Sequence, residues 1–244
     1  MTSAIATDRL LISSMDRTSP CSGTVTAPDY RPVLKEMPRV NVESGVTLHL
    51  VLLAADSRHC AGIDVESGTL VRAWATFPFG VRFSPYDVVE VTLGGDDDAD
   101  ALPDPAQPEA VAIQTPPEVV DRLTGRRCER MLKALLHPKD RPLLNNSSTA
   151  IPFWERRDDH PSIAVVDPGD PVVLVRQGSY LGARFEWQGH VRELPCLDRS
   201  FAGEMDRSGM QRTRAPKGSR LLVAFTPPID GRCHKVVESI LPRP

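Results

Sequence analysis

The chain has 244 residues, 41% hydrophobic and 25% charged, which is enough to bury a core and excludes a fibre or a wholly disordered protein. Its 29 basic and 32 acidic side chains leave a net charge of −3, so a broadly cationic nucleic-acid binder is excluded and any such contact must come from a local patch. Five cysteines, Cys21, Cys60, Cys128, Cys196 and Cys233, are odd in number and far apart, with no Cys-x-x-Cys pair, the pattern of reduced thiols rather than a disulfide framework.

Residues 1–45 are rich in Ser, Thr and Pro and carry no sustained periodicity, which predicts a disordered leader. Asp8, Arg9 and Asp16 interrupt any secretory signal pattern there. The longest apolar run, 46–55, is about half the roughly 20 residues of a membrane-spanning helix and contains His49, so no membrane span and a cytoplasmic location are expected. That run opens a strand-rich segment, 46–114. In it Glu66-Ser-Gly68 separates two apolar stretches as a hairpin turn would, 86–93 reads as a strand, and Asp96-Asp-Asp-Ala-Asp100 reads as a solvated acidic loop.

The segment 115–160 differs in kind. Thr115, Pro116, Pro117 and Glu118 look like a capped helix start, and Val120, Leu123, Met131 and Leu135 recur near helical spacing, which predicts a helix over 115–137 stopped by Pro138 and Pro142. Asn145 to Thr149 reads as a connector. From 161 to 242 short β-rich runs return at 162–166, 171–176, 182–187, 190–194, 221–225 and 233–241, broken by Gly- or Pro-bearing turns. The predicted fold is therefore mainly β with a bridging helix: two small OB-like β-barrels, at 46–114 and 161–242.

Neither GxxxxGK nor GxGxxG occurs, so the common nucleotide-binding loops are absent, and Gly178-Ser-Tyr-Leu-Gly182 does not fit the GxSxG of serine hydrolases and reads as a turn. His59-Cys60 and Cys233-His234 are metal-ligand types, but strand neighbours point to opposite faces, so no metal site and no cofactor is expected. Asp64, Asp87 and Glu90 are the carboxylates a divalent-metal nuclease would need, and Asp64 also precedes a turn while Asp87 opens a strand, where Asp is common for local reasons. Aromatic residues interleaved with arginine could stack bases and neutralise phosphates: Arg72, Trp74 and Arg82 in the first half, Arg184, Trp187 and Arg192 in the second. Arg199, Arg207, Arg212, Arg214, Lys217 and Arg220 face only Glu204 and Asp206, a local excess of basic charge in what reads as a long loop.

The stretch Arg58-His-Cys-Ala-Gly-Ile-Asp-Val-Glu-Ser-Gly-Thr-Leu-Val-Arg72 resembles the opening of the dual OB-containing domain family. The segments 86–91, 105–109, 162–166, 183–187 and 233–237 are similar to later elements of that family in the same order, so the resemblance covers about 47–241. It implies two OB-type barrels associated with nucleic acid and supplies no catalytic residue. The chain departs from the family at Ala73-Trp74, where an Arg-Pro pair is usual. The expected function is non-catalytic binding of single-stranded nucleic acid. Two alternatives stand beside it: an adaptor that engages a protein partner through barrel edges or the 115–137 helix, and a metal-dependent nucleic-acid enzyme built on Asp64, Asp87 and Glu90.

Overall fold

The structure, a computed structural model, describes residues 44–80, 82–95, 107, 109–155, 161–169 and 171–244. All but the last two residues of the predicted leader, and the whole acidic loop at 96–100, lie outside the described residues. Five strands build the first barrel: β1 (Thr47–Ala55), β2 (His59–Asp64), β3 (Leu70–Trp74), β4 (Asp87–Thr92) and β5 (Ala110–Ala112). Strand β1 pairs antiparallel with both β2 and β4, β2 with β3, and β3 runs parallel to β5. A bridge between Leu93 and Ile113 and the bond from Gly94 N–H to the Ala112 carbonyl join the ends of β4 and β5 and close the ring. The order 1-2-3-5-4-1 is that of an OB-type barrel. Its interior is the alternate set of side chains, with Leu50, Leu52, Cys60, Val71, Ala73, Val89 and Val91 among those packed together.

The predicted hairpin at Glu66-Ser-Gly68 is present. Asp64 holds it by accepting bonds from the Ser67 N–H and hydroxyl, and Gly68 takes the φ of +71° that favours glycine.

The bridging helix is shorter than its sequence pattern suggests. Residues Glu118–Arg122 form a strand, β6, on the free edge of β4, and only Gly125–Ala134 is helical, α1. Two β-branched residues, Val119 and Val120, suit that edge, and Gly125 at φ +65° cannot continue a right-handed helix from upstream, so helix begins there. A short strand, β7 (Ala150–Pro152), follows the connector.

The second barrel repeats the first. Its opening strand is broken into β8 (Ile163–Val166) and β9 (Val173–Gln177), then come β10 (Tyr180–Trp187), β11 (His190–Pro195), helix α2 (Arg199–Ser208), β12 (Arg212–Arg214), β13 (Arg220–Phe225) and β14 (Arg232–Leu241). β9 pairs with β10 and β10 with β11, while β8 pairs with β13 and β13 with β14. A parallel bridge from Cys196 to Val237 joins the end of β11 to β14, which restores the same circular order. The segment read as a long basic loop is thus a helix and an edge strand. Asp198 caps α2 by accepting from the Ser200 and Phe201 N–H groups, Gly209 ends it at φ +67°, and Met205 anchors it in the barrel core.

Both barrels lie in one compact unit. Between them is a third apolar cluster, in which Val51, Leu53, Ala61 and Ile63 of the first barrel meet Ile163, Val165, Leu222, Ala224 and Leu241 of the second, with Cys128 and Leu132 of α1 filling the seam.

Candidate nucleic-acid interface

On an OB-type barrel the outer face of the second and third strands, with the adjoining loops, is the surface that takes an oligonucleotide or oligosaccharide. In the first barrel these are β2 and β3, whose outward residues pair as His59 with Trp74, Ala61 with Arg72, and Ile63 with Leu70. The expected pair Arg72 and Trp74 therefore sits on that face, but the face is covered by the second barrel. Arg72 is 1% exposed. Its guanidinium forms an ion pair with Glu238 of β14, donates to Gln107 Oε1 at 2.9 Å and reaches the Phe225 carbonyl at 3.3 Å. Trp74 is half-buried, stacked on His59 with ring centroids 4.1 Å apart, while the Arg72 guanidinium lies 5.6 Å from its ring centre. Burial, and secondarily the charge of Arg72, hold the His59 imidazole well below its ordinary pKa, so the ring that stacks is neutral. As a phosphate contact Arg72 is corrected by this burial: it carries a carboxylate of its own chain where a ligand would sit. Arg82 is exposed on the loop between β3 and β4.

In the second barrel the corresponding face is open. Residues opposite one another in an antiparallel pair share a face, so Glu193, Arg184, Val173 and Arg214 form one row across β11, β10, β9 and β12. The next row is Pro195, Gly182, Val175 and Arg212. Arg184, Arg212 and Arg214 are exposed. Tyr180, two residues before Gly182 on the same face, lays its ring over that glycine: a Cβ at 182 would stand 2.9 Å from the ring and 3.2 Å from its hydroxyl. The missing side chain is what leaves room for the ring there. Burial and then the nearby Glu193 carboxylate raise the Tyr180 phenol above its usual pKa, so it stays neutral. The result is a neutral aromatic platform, 38% exposed, beside three arginines.

The remaining expected residues lie elsewhere. Arg192 pairs with Phe185 and so faces the opposite way from Arg184; it is half-buried beside Leu194 and Lys235. Trp187 is 3% exposed, with its Nε1–H donated to the Arg141 carbonyl at 3.0 Å, and plugs the barrel rather than presenting a ring. The structure thus brings Arg184 to the open face and adds Tyr180, Arg212 and Arg214. Reasoning on sequence named the last two only as part of a basic stretch and read Tyr180 as part of a turn. The signal for it was an aromatic residue two places before a strand glycine.

The three carboxylates considered for metal chemistry do not converge. Asp64 caps its turn, Asp87 accepts the Ser84 N–H at 2.8 Å and lies 3.6 Å from Arg122, and Glu90 pairs with His49 at 3.4 Å. Among the described residues no group of three His, Cys, Asp or Glu could hold a metal ion. The four described cysteines are buried outside any disulfide, and burial pushes the Cys60 and Cys196 thiols up to about 12 and Cys128 to about 11. No described helix is long and apolar enough to cross a membrane.

No family model and no curated protein matches this chain, so the resemblance to the dual OB-containing domain family rests on its short motifs, while the two-barrel architecture it implied is present. Among solved structures the chain is similar to the crystal structure of the p204 HINb domain, at 10% identity and a TM-score of 0.31 over 80% of this chain and 97% of that one. It is also similar to the tetrameric p202 HIN2, at 10% identity and a TM-score of 0.28 over 80% of this chain and 88% of that one. The fold assignment above rests on the strand pairing, not on these likenesses.

Proposed function

We infer that the protein binds single-stranded nucleic acid on the outer face of the second barrel. One observation carries this reading: the Tyr180 ring stands beside Gly182 on the exposed sheet face that runs across β11, β10, β9 and β12, which also carries Arg184 on β10 and Arg212 and Arg214 on β12. Every base has a π-face, so one exposed ring supports sequence-tolerant stacking, and arginines two residues apart along β12, about 6.7 Å by strand geometry, can meet successive backbone phosphates. The exposed Glu186 and Glu193 on the same sheet disfavour a rigid, highly charged duplex and suit weaker, salt-sensitive contact with a single strand. The two barrels then divide the work: the first serves as a rigid support whose own ligand face is occupied by Glu238, and the second presents the open face.

Fluorescence anisotropy with labelled oligo-dT, oligo-U and a duplex, across a salt series, tests this. Binding to single strands that weakens with salt is expected. Tyr180→Ala should reduce affinity by about 1–3 kcal/mol, the scale of one base stack. Removing Arg184, Arg212 and Arg214 together should flatten the salt dependence by about 0.7 per lost phosphate contact. Affinity that ignores all four substitutions in a folded protein sinks the assignment.

A further inference from the structure

The exposed sheet face carries one charge that phosphate contact does not use. Glu193 of β11 stands directly opposite Arg184, on the face it shares with Tyr180 and Gly182. Its Oε1 lies 3.1 Å from where a Cβ of residue 182 would stand, and that same point is 2.9 Å from Tyr180 Cε1 and 3.2 Å from the Tyr180 hydroxyl oxygen. The carboxylate and the edge of the ring therefore converge on one buried glycine. Glu193 is itself exposed, and among the described residues it forms no ion pair, although its cross-strand neighbour is an arginine. Opposite charges facing one another across two strands ordinarily stabilise the pair. Here they do not close into a salt bridge, and the carboxylate stands open beside the ring.

A negative charge repels the sugar-phosphate backbone, so the contact it suits on such a face is with a base. An ionised carboxylate only accepts, through two oxygens side by side, and it therefore selects a base edge with two adjacent N–H donors. Guanine has that edge in N1–H and the N2 amino group. Cytosine and adenine set their amino group next to a ring-nitrogen acceptor, and thymine and uracil hold a single N–H between two carbonyls, so each of these turns an acceptor toward the second carboxylate oxygen. In a single strand the Watson–Crick edge is free to be read in this way. We propose that Glu193 is a specificity-determining residue: its carboxylate accepts from N1–H and N2–H of a guanine stacked on Tyr180, so that the strand bound on this face carries guanine at that position. This rests on the reading of the face as a single-strand platform. Tyr180 supplies the stack, Glu193 the identity of the base, and Arg212 and Arg214 the phosphate contacts. Rotation about the outer torsions of the exposed Glu193 side chain brings its oxygens level with a base lying on the ring.

The test uses labelled oligo-dT with its central base replaced in turn by guanine, hypoxanthine or adenine, measured by anisotropy at fixed ionic strength against the full-length protein. Hypoxanthine keeps N1–H and lacks the N2 amino group, so it separates one donor from two. The guanine strand should bind about tenfold more tightly than unsubstituted oligo-dT, the scale of one bidentate base contact, with the hypoxanthine strand between them and the adenine strand level with oligo-dT. Glu193→Met, which keeps the length of the side chain and removes both acceptors, should bring the guanine to thymine ratio to about one. It should leave the affinity for oligo-dT equal or higher, because a negative charge beside the phosphates is gone. A surface charge with no part in recognition would leave that ratio unmoved. If wild type binds the guanine strand and oligo-dT equally while Tyr180→Ala weakens both, the platform stands and the role of Glu193 is overturned. A guanine preference that survives in Glu193→Met overturns it as well. Failure of wild type to bind any of the four strands removes the single-strand reading and the base reader with it.

Discussion

Replacing Arg72 by alanine removes one half of the charge pair that ties the first barrel to the second, and the structure sets the size of the consequence. Glu238 and Arg72 have side chains 9% and 2% exposed, so neither charge is stabilised by water. Alanine leaves the Glu238 carboxylate uncompensated, deprives Gln107 Oε1 of a donor and empties the space beside the Trp74 ring. Breaking a buried pair by removing one partner costs about 3–5 kcal/mol. In a unit of this size each kcal/mol lowers Tm by about 2–4 °C, so the expected fall is roughly 6–20 °C. Removing both charges at once, as in Arg72→Met with Glu238→Leu, should recover most of that loss, because the desolvation cost of both ions disappears with their attraction. Acid supplies a second signature. Burial already raises Glu238 above its ordinary pKa against the pull of Arg72, and without Arg72 that opposition is gone. The folded variant then holds a proton that the unfolded chain releases, so its deficit should shrink as pH falls toward the raised pKa. Urea denaturation of wild type, Arg72→Ala and the double variant at neutral and mildly acid pH reads all of this. A single-variant loss under about 1 kcal/mol, or a double variant no better than the single one, would refute the reasoning.

Asp198→Ala should cost about 2–4 kcal/mol by urea denaturation, since one carboxylate caps α2 and also accepts the buried Ile240 N–H at 2.9 Å. Gly62→Ala should destabilise by about 1–3 kcal/mol, because a Cβ there would stand 2.8 Å from the Val51 carbonyl oxygen in the middle of the β1–β2 pair; a variant of wild-type stability shows that the strands can part. Burial lowers Lys235 from 10.5 to about 8, so the folded state binds fewer protons than the unfolded between those values and this side chain destabilises most below pH 8. Lys235→Met should therefore show its greatest advantage near neutral pH and lose it as pH rises toward 10.5, as melting curves across that range would record. Trp187→Phe should lower stability through the lost bond to the Arg141 carbonyl while leaving oligonucleotide affinity unchanged; a fall in affinity at wild-type stability contradicts the buried assignment.

Much of the fold is local and so was legible in the amino-acid sequence: alternating apolar runs marked the strands, Glu66-Ser-Gly68 marked its hairpin, and the strand-helix-strand order marked two β modules around α1. The exceptions are places where a local signal competes with a partner far along the chain. Residues 118–122 fit a helical spacing but pair with β4, whose edge would otherwise be unsatisfied, and α2 shows too few apolar residues to announce itself because only Met205 is fully buried. The site follows the same division. Sequence alone determined that Arg72 and Trp74 share a face, since strand side chains alternate with a period of two, whereas Arg212 and Arg214 share one only because 212–214, a loop by sequence, pairs as a strand with β9. Whether such a face meets water is a property of the other barrel's position, and only the tertiary structure decided that Glu238 closes the first barrel's face while Tyr180, Arg184, Arg212 and Arg214 stay open on the second.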